Sequence, residues 1–150
     1  MTLAQRTTLS RDDTDEVLAR HETGVLSLAD ADEPYAIPVS YGFDRDARRF
    51  YLRLVSAPDS EKRQFLSAAP AARLVVYEAD DPEYRSVIAT GTLREIAPED
   101  LTVEHVEQYG DAKRPLFEIW GEPQGDLEIR LYRFDPDEVS GRHVRVDREA

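Results

Sequence analysis

The feature that most constrains the fold of this chain is a succession of strand-like segments joined mainly by short polar turns. Short turns join neighbouring strands as antiparallel pairs, so the sheet is expected to be mainly antiparallel. Six or seven such strands close most easily into a barrel whose open ends are covered by helices. The prediction is a mainly β, single-domain fold over residues 1–150. The predicted strands are residues 24–29, 35–43, 50–54, 73–77, 85–96, 127–134 and 138–146.

Helices are predicted where a capping residue or a proline precedes a helical pattern. Ser10 is placed as the N-cap of a first helix, because its hydroxyl can accept a first-turn amide. The other predicted helices are Glu61 to Ala69, Pro98 to about Tyr109, and Lys113 to Trp120.

The strand at residues 35–43 separates large from small side chains. The large residues are Tyr35, Ile37, Val39, Tyr41 and Phe43, and they alternate with Ala36, Pro38, Ser40 and Gly42. Glycine and proline inside a strand often mark the close approach of another backbone or of a ligand. The small face is therefore expected to receive a neighbouring sheet, a helix or a flat ligand. Pro38 is expected at an edge or bulge, and Gly91 at a bulge or bend.

The stretch from Phe50 to Leu66 joins a strand to a helix through a turn with two hydroxyls. Ser60 is a plausible N-cap of that helix, and Lys62 follows in its first turn. Free amides, a hydroxyl and an ammonium group together suit a phosphate. The alternative interpretation is an ordinary strand, a proline turn and a capped surface helix.

Charge and composition argue against several classes of function. The chain has 31 acidic and 19 basic residues and a net charge of −12, which argues against nucleic acid or an anionic membrane as a partner. Such acidity favours solubility or adaptation to high salt. There is no cysteine, and the three histidines are isolated, so no metal site is expected. No segment resembles a signal peptide or a membrane span, so a cytoplasmic protein is expected.

From about Gly24 to Val144 the chain resembles the pyridoxamine 5′-phosphate oxidase-related family of FMN-binding split β-barrels. The resemblance depends on the order and spacing of short segments and not on one motif. These segments are residues 24–28, 34–41, 50–52, 60–62, 84–91 and 139–142.

The resemblance implies a homodimer that binds two FMN molecules at its interface. Residues 36–41 would line the isoalloxazine ring with backbone and small side chains, and Trp120 would cover it from the partner chain. Ser60 and Lys62 would bind the phosphate. The implied cofactor-binding residues are Ala36, Pro38, Val39, Ser40, Tyr41, Tyr51, Leu52, Ser60, Lys62, Ser86 and Trp120.

The activity implied is that of an FMN-dependent oxidoreductase with a small-molecule substrate that the sequence does not name. No side-chain catalytic motif is present, so the cofactor would carry the reaction, with the flavin accepting a hydride at its N5. Two alternatives remain: a non-catalytic protein that binds flavin, deazaflavin or haem, and a barrel without a cofactor. Glu61 stands where the family usually has a second basic residue, and residues 141–143 only partly match the oxidase's pyridoxal phosphate site.

Overall fold

A computed structural model describes residues 2–56, 65–66, 70–100 and 128–148. Their elements are seven strands, one α-helix and one short 3-10 helix. The strands are β1 (Thr2–Thr8), β2 (Thr23–Asp30), β3 (Glu33–Asp44), β4 (Arg49–Ser56), β5 (Ala71–Asp80), β6 (Glu83–Glu95) and β7 (Glu128–Arg148). The helix α1 is Arg11–Arg20, and the 3-10 helix is Pro98–Asp100. No helix among these residues is long and apolar enough to span a membrane.

All strand pairings are antiparallel and follow the order β1-β7-β4-β3-β2-β5-β6, and β6 also pairs with β7. The six strands other than β1 therefore close into a barrel. The long strand β7 makes this arrangement possible, because residues 128–134 pair with β4 and residues 142–148 pair with β1. The predicted antiparallel split barrel is confirmed.

The barrel interior is filled by the large residues of each alternating strand. Val39 and Tyr41 of β3 lie in the core, with Phe50 and Phe134 fully buried beside them. Phe50 contacts the rings of Tyr41, Phe43 and Phe134 at centroid distances of 5.6, 4.9 and 5.7 Å. The large-and-small alternation predicted for β3 is confirmed, because Ala36 and Pro38 are exposed on the opposite face.

Helix α1 begins at the predicted cap and packs on the barrel with Val17 and Leu18, each 1% exposed. The Ser10 Oγ accepts a hydrogen bond from the Asp13 amide at 3.1 Å. The helix is also joined to the β3–β4 turn by an ion pair of 2.6 Å between Arg48 and Asp15. It therefore occupies a fixed position next to the barrel wall.

Two positions in the barrel wall confirm expectations based on Pro and Gly. On one side, Pro38 pairs with Val25 of β2. On its other side it has no strand partner among the described residues, because the pairing of β3 with β4 begins only at Tyr41. The β6–β7 register shifts between Thr90 and Gly91, as expected for a bulge. A Cβ on Gly91 would lie 2.1 Å from the Asp135 carbonyl oxygen, which explains why the position is glycine.

Two sequence-based assignments differ from the structure, and a third is described only in part. The sequence did not predict β1, because its described side chains from Gln5 to Thr8 are all exposed and give no apolar alternation. The predicted strands 127–134 and 138–146 are one strand, β7, because Pro136 pairs opposite the Gly91 bulge instead of ending the strand. At the third predicted helix, the described residues form only the 3-10 helix.

The remaining predicted helices fall mostly outside the described residues. Residues 101–109 and the helix predicted from Lys113 to Trp120 lie outside them entirely. Of the helix predicted from Glu61 to Ala69, only Phe65 and Leu66 are described; both are helical and buried.

Candidate functional site

The residues predicted to bind a cofactor lie on both faces of the barrel wall. Ala36, Pro38, Ser40 and Tyr51 face outward, and so does Ser86. Val39, Tyr41 and Leu52 have side chains in the core and are at most 2% exposed. The alternation of strands explains this division, because neighbouring residues point to opposite faces.

The outward residues lie beside an apolar row that crosses four strands. Strand register places Pro38 opposite Val25, Val25 opposite Val75, and Val75 opposite Ile88. Val25 and Ile88 are 36% and 37% exposed, and Tyr77 beside the row is 67% exposed. We call these five residues the outer strip. A continuous exposed apolar surface of this kind marks an interaction site.

Ser86 lies at the end of the outer strip. It pairs with Tyr77 of β5 on one side and with Arg142 of β7 on the other. The structure therefore brings Ser86 to the same barrel face as Ala36 and Pro38, although β3 and β6 are separated by β2 and β5.

The core residues of the predicted set can contact an external ligand only through their backbone. The Tyr41 hydroxyl donates a hydrogen bond of 2.7 Å to the Leu18 carbonyl of α1. Burial raises the pKa of Tyr41 well above its ordinary value, so this hydroxyl remains a donor. The side chains of Val39 and Leu52 are fully buried.

Tyr51 faces outward but is only 2% exposed, and it lies beside a network that sequence reasoning missed. The Nε atoms of Arg49 and Arg133 donate to the two carboxylate oxygens of Asp135 at 2.7 and 2.9 Å. Burial acts to lower the pKa of Arg49, but hydrogen bonds to Tyr51 and Asp135 raise it overall. The alternation of Arg49 and Tyr51 was visible in the sequence, whereas the pairing of β4 with β7 was not.

The predicted phosphate residues Ser60 and Lys62, and the predicted ring cover Trp120, lie outside the described residues. A nearby contact is described, however. Phe65, three positions after Lys62, stacks on Tyr35 with a centroid distance of 4.9 Å and an interplanar angle of 13°. Tyr35 immediately precedes Ala36 in β3, so this contact lies at the end of β3 that carries the small outward residues.

No group of three or more metal-ligating side chains that could hold a metal ion occurs among residues 2–56, 65–66, 70–100 and 128–148.

A six-stranded antiparallel barrel with small outward residues on β3 is the arrangement expected for the split-barrel class. The family model described as pyridoxamine 5′-phosphate oxidase matches residues 10–143. The chain therefore belongs to the pyridoxamine 5′-phosphate oxidase family. A comparison with curated proteins gives no match.

Solved structures share this fold over most of the chain. A FAD-binding protein from Mesorhizobium loti gives a TM-score of 0.72 at 24% identity, covering 95% of this chain and 98% of that one. A FAD-binding protein from Mycobacterium smegmatis gives a TM-score of 0.67 at 16% identity, and the match covers 93% of this chain and 98% of that one. A haem-binding protein from Mycobacterium smegmatis gives a TM-score of 0.61 at 15% identity, and the match covers 86% of this chain and 52% of that one. At these identities the likeness establishes the fold alone.

Proposed function

We propose that this protein is a flavin-binding homodimer that uses FMN and acts as an oxidoreductase on a small molecule. The observation that carries the proposal is the outer face of β3, where exposed Ala36 and Pro38 adjoin the apolar outer strip. Membership of the family supports it, and so do two structural neighbours described as FAD-binding proteins. FMN is preferred to FAD on the family resemblance of residues 34–41 and 60–62. The cytoplasmic location expected from the sequence remains a prediction.

The outward face fits a flat ring. Ala36 and Pro38 have short side chains and are exposed, so nothing on β3 itself projects across the surface. Val25, paired with Pro38, extends the surface with an apolar side chain. Phe65, stacked on Tyr35, lies three residues after Lys62.

A second copy of the chain is the proposed cover of the outer strip. An apolar row of this kind is more stable when buried, and a two-fold axis would place the same strip of both copies in one interface. Such an interface would also exclude water from a ring bound at Ala36 and Pro38. The homodimer and the cofactor site are therefore one proposal about one surface.

The chain's own residues would bind and orient the cofactor. The backbone of residues 36–41 would contact the ring, Ser60 and Lys62 would bind the phosphate, and the Ser86 hydroxyl would face the ring. When bound, FMN supplies hydride acceptance, and the protein's part is orientation and the exclusion of water. Haem would need an axial ligand, commonly a histidine. Of the two described histidines, His21 lies 3.6 Å from Glu78 and His143 contacts Glu83 on the face opposite the outer strip.

The test of cofactor and assembly uses the purified full chain. We expect a yellow protein with a flavin absorbance spectrum, release of FMN on denaturation identified by mass, and a dimer by light scattering in molar salt. Turnover with a reduced nicotinamide would separate an oxidoreductase from a non-catalytic flavin binder. A colourless monomer, with no flavin uptake by the apo protein, would refute the proposal.

The Lys62→Ala variant tests the phosphate site. Loss of a charge-assisted hydrogen bond should cost roughly 2–3 kcal/mol of FMN binding, which is a thirty- to hundredfold loss of affinity. Lys113→Ala is the matched control, because Lys62 and Lys113 are the only lysines in the chain. Both variants should fold like the wild type. Equal FMN affinities for Lys62→Ala and the wild type would show that the phosphate binds elsewhere.

A further inference from the structure

A second candidate site lies on the opposite face of the wall from the outer strip. It is a groove of about 560 Å³, within the usual range for small-molecule sites. Its floor is a row of side chains set by strand register: Thr7 opposite His143, His143 opposite Arg85, and Arg85 opposite Glu78. The row crosses β1, β7, β6 and β5. We call it, with the helix face above it, the polar groove.

Helix α1 forms the wall of the polar groove. Asp13, Glu16 and Arg20 line it, and their spacing of three and four residues places them on one side of the helix. Arg20 donates to Glu78 at 2.5 Å and closes one end. Partial burial acts to raise the pKa of Glu78, but this hydrogen bond and the charges of Arg20, His21 and Arg85 lower it overall. Glu78 therefore remains ionised and engaged with α1.

Arg85 is the exception among the partly buried arginines. Arg48, Arg49, Arg130 and Arg133 each make an ion pair with a carboxylate. Arg85 is also partly buried, yet no hydrogen bond or ion pair within 4.0 Å joins it to any residue in the described part of the chain. The Glu78 carboxylate opposite Arg85 interacts with it through charge alone and is hydrogen-bonded to Arg20. A partly buried guanidinium with no ion pair of its own among the described residues favours an anionic group of a ligand.

The Arg20–Glu78 ion pair closes one end of the groove and is neutral overall. In the rest of the groove the floor carries donors and the wall carries acceptors. Beside Arg85, the His143 Nδ1 lies 3.5 Å from the Thr7 hydroxyl, and the His143 Nε2 is in contact with Glu83. Across the groove lie Asp13 and Glu16, of which Glu16 makes an ion pair of 3.0 Å with Arg45, so Asp13 is the available carboxylate. A simple anion would be repelled by the wall and a simple cation by the floor. A molecule that carries both charges satisfies both sides.

We propose that the polar groove binds a zwitterionic small molecule of the α-amino-acid class. Its carboxylate would bind Arg85 and the Thr7 hydroxyl, and its ammonium group would bind Asp13. This site is independent of the flavin proposal, because it uses the opposite face of β5, β6 and β7. No residue is shared between the two sites.

The first test compares three probes by titration calorimetry on the full-length protein. L-Glutamine carries both charges, glutaramate lacks the amino group, and 4-aminobutanamide lacks the carboxylate. L-Glutamine should bind saturably, and each single-charge analogue should bind roughly tenfold more weakly or worse, as expected for the loss of one charge-assisted contact. Absence of saturable binding of L-glutamine, or equal affinity for glutaramate, would overturn the proposal.

Variants locate the site. Arg85→Gln should weaken L-glutamine binding by roughly ten- to a hundredfold. It should change the melting temperature only slightly, because Arg85 makes no ion pair with a described residue and acts on Glu78 only through its charge. Asp13→Asn should weaken binding while keeping the amide that bonds Ser10. Arg73→Gln is the control, since Arg73 is exposed on the outward face of β5. Unchanged affinity in a folded Arg85→Gln protein would also overturn the proposal.

Discussion

Replacing Tyr41 by phenylalanine distinguishes a core role from a cofactor role for one predicted site residue. The resemblance placed Tyr41 in the strand beside the ring, whereas its side chain is 2% exposed and its hydroxyl donates to the Leu18 carbonyl. Leu18 is one of the last four residues of α1, whose carbonyls have no partner within the helix. The Tyr41 hydroxyl therefore satisfies a buried carbonyl that nothing inside α1 can satisfy.

The expected cost of Tyr41→Phe follows from that hydrogen bond. The ring and its edge-to-face contact with Phe50, at 5.6 Å and 72°, are kept. Loss of a buried hydrogen bond that leaves its acceptor unsatisfied costs about 2 kcal/mol in the free energy of unfolding. For a chain of this length, that corresponds to a fall of roughly 4–8 °C in melting temperature. Flavin affinity should stay unchanged, because the hydroxyl points away from the outer face.

The assay is chemical denaturation at a fixed protein concentration, together with a flavin titration of the apo protein. Tyr77→Phe is the matched control for the unfolding measurement, because Tyr77 is 67% exposed and its change in the free energy of unfolding should be close to zero. The reasoning would be refuted if Tyr41→Phe unfolded within about 0.5 kcal/mol of the wild type. A large loss of flavin affinity at unchanged stability would refute it as well.

Three further predictions concern stability. Gly91→Ala should lower the free energy of unfolding, measured with denaturant, by about 3 kcal/mol, because the new Cβ would lie 2.1 Å from the Asp135 carbonyl oxygen. The control Thr90→Ala should lower it by about 0.5 kcal/mol. Similar losses for the two variants would contradict the bulge. Burial acts to raise the pKa of Glu78, but Arg20 lowers it overall, so its stabilisation is present above the pKa of a free glutamate and is lost as the pH falls through its lower folded pKa. Melting temperatures from pH 7 to pH 3 should fall less steeply for Glu78→Gln, and parallel curves would contradict this. With 31 acidic and 19 basic residues, the melting temperature should rise from low to molar salt, and a flat profile would count against adaptation to high salt.

Local patterns in the sequence predicted local structure well. The Ser10 cap, the alternation along β3, the edge position of Pro38 and the Gly91 bulge each depend on a few neighbouring residues, and each is present. Caps, pleats and bulges are properties of short segments, so their signals are carried by short segments.

Long-range pairing was the part that local patterns could not predict. The pairing of β1 with the end of β7 joins residues such as Thr7 and His143, which are 136 positions apart in sequence. β1 has exposed side chains and is held mainly by its ladder to β7, so no apolar alternation indicated it. Residues 135–137 have the composition of a turn and therefore suggested a break in β7. They continue the strand because the closure of the barrel pairs Pro136 with Gly91, and the local sequence does not reveal that closure.

The two candidate sites show why side chains with a function in this chain carry a weak sequence signal. Each site is a row across several strands, with one residue taken from each strand, and strand register decides which residues meet. Alternation in the sequence predicts that Ala36 and Pro38 share a face, but not that Val25 and Ile88 extend that face. In the same way, Arg85 is one of many arginines until the fold places it between Glu78 and His143, without an ion pair to another described residue. The absence of that ion pair is a property of the assembled sheet, so it could be found only after the strands were paired.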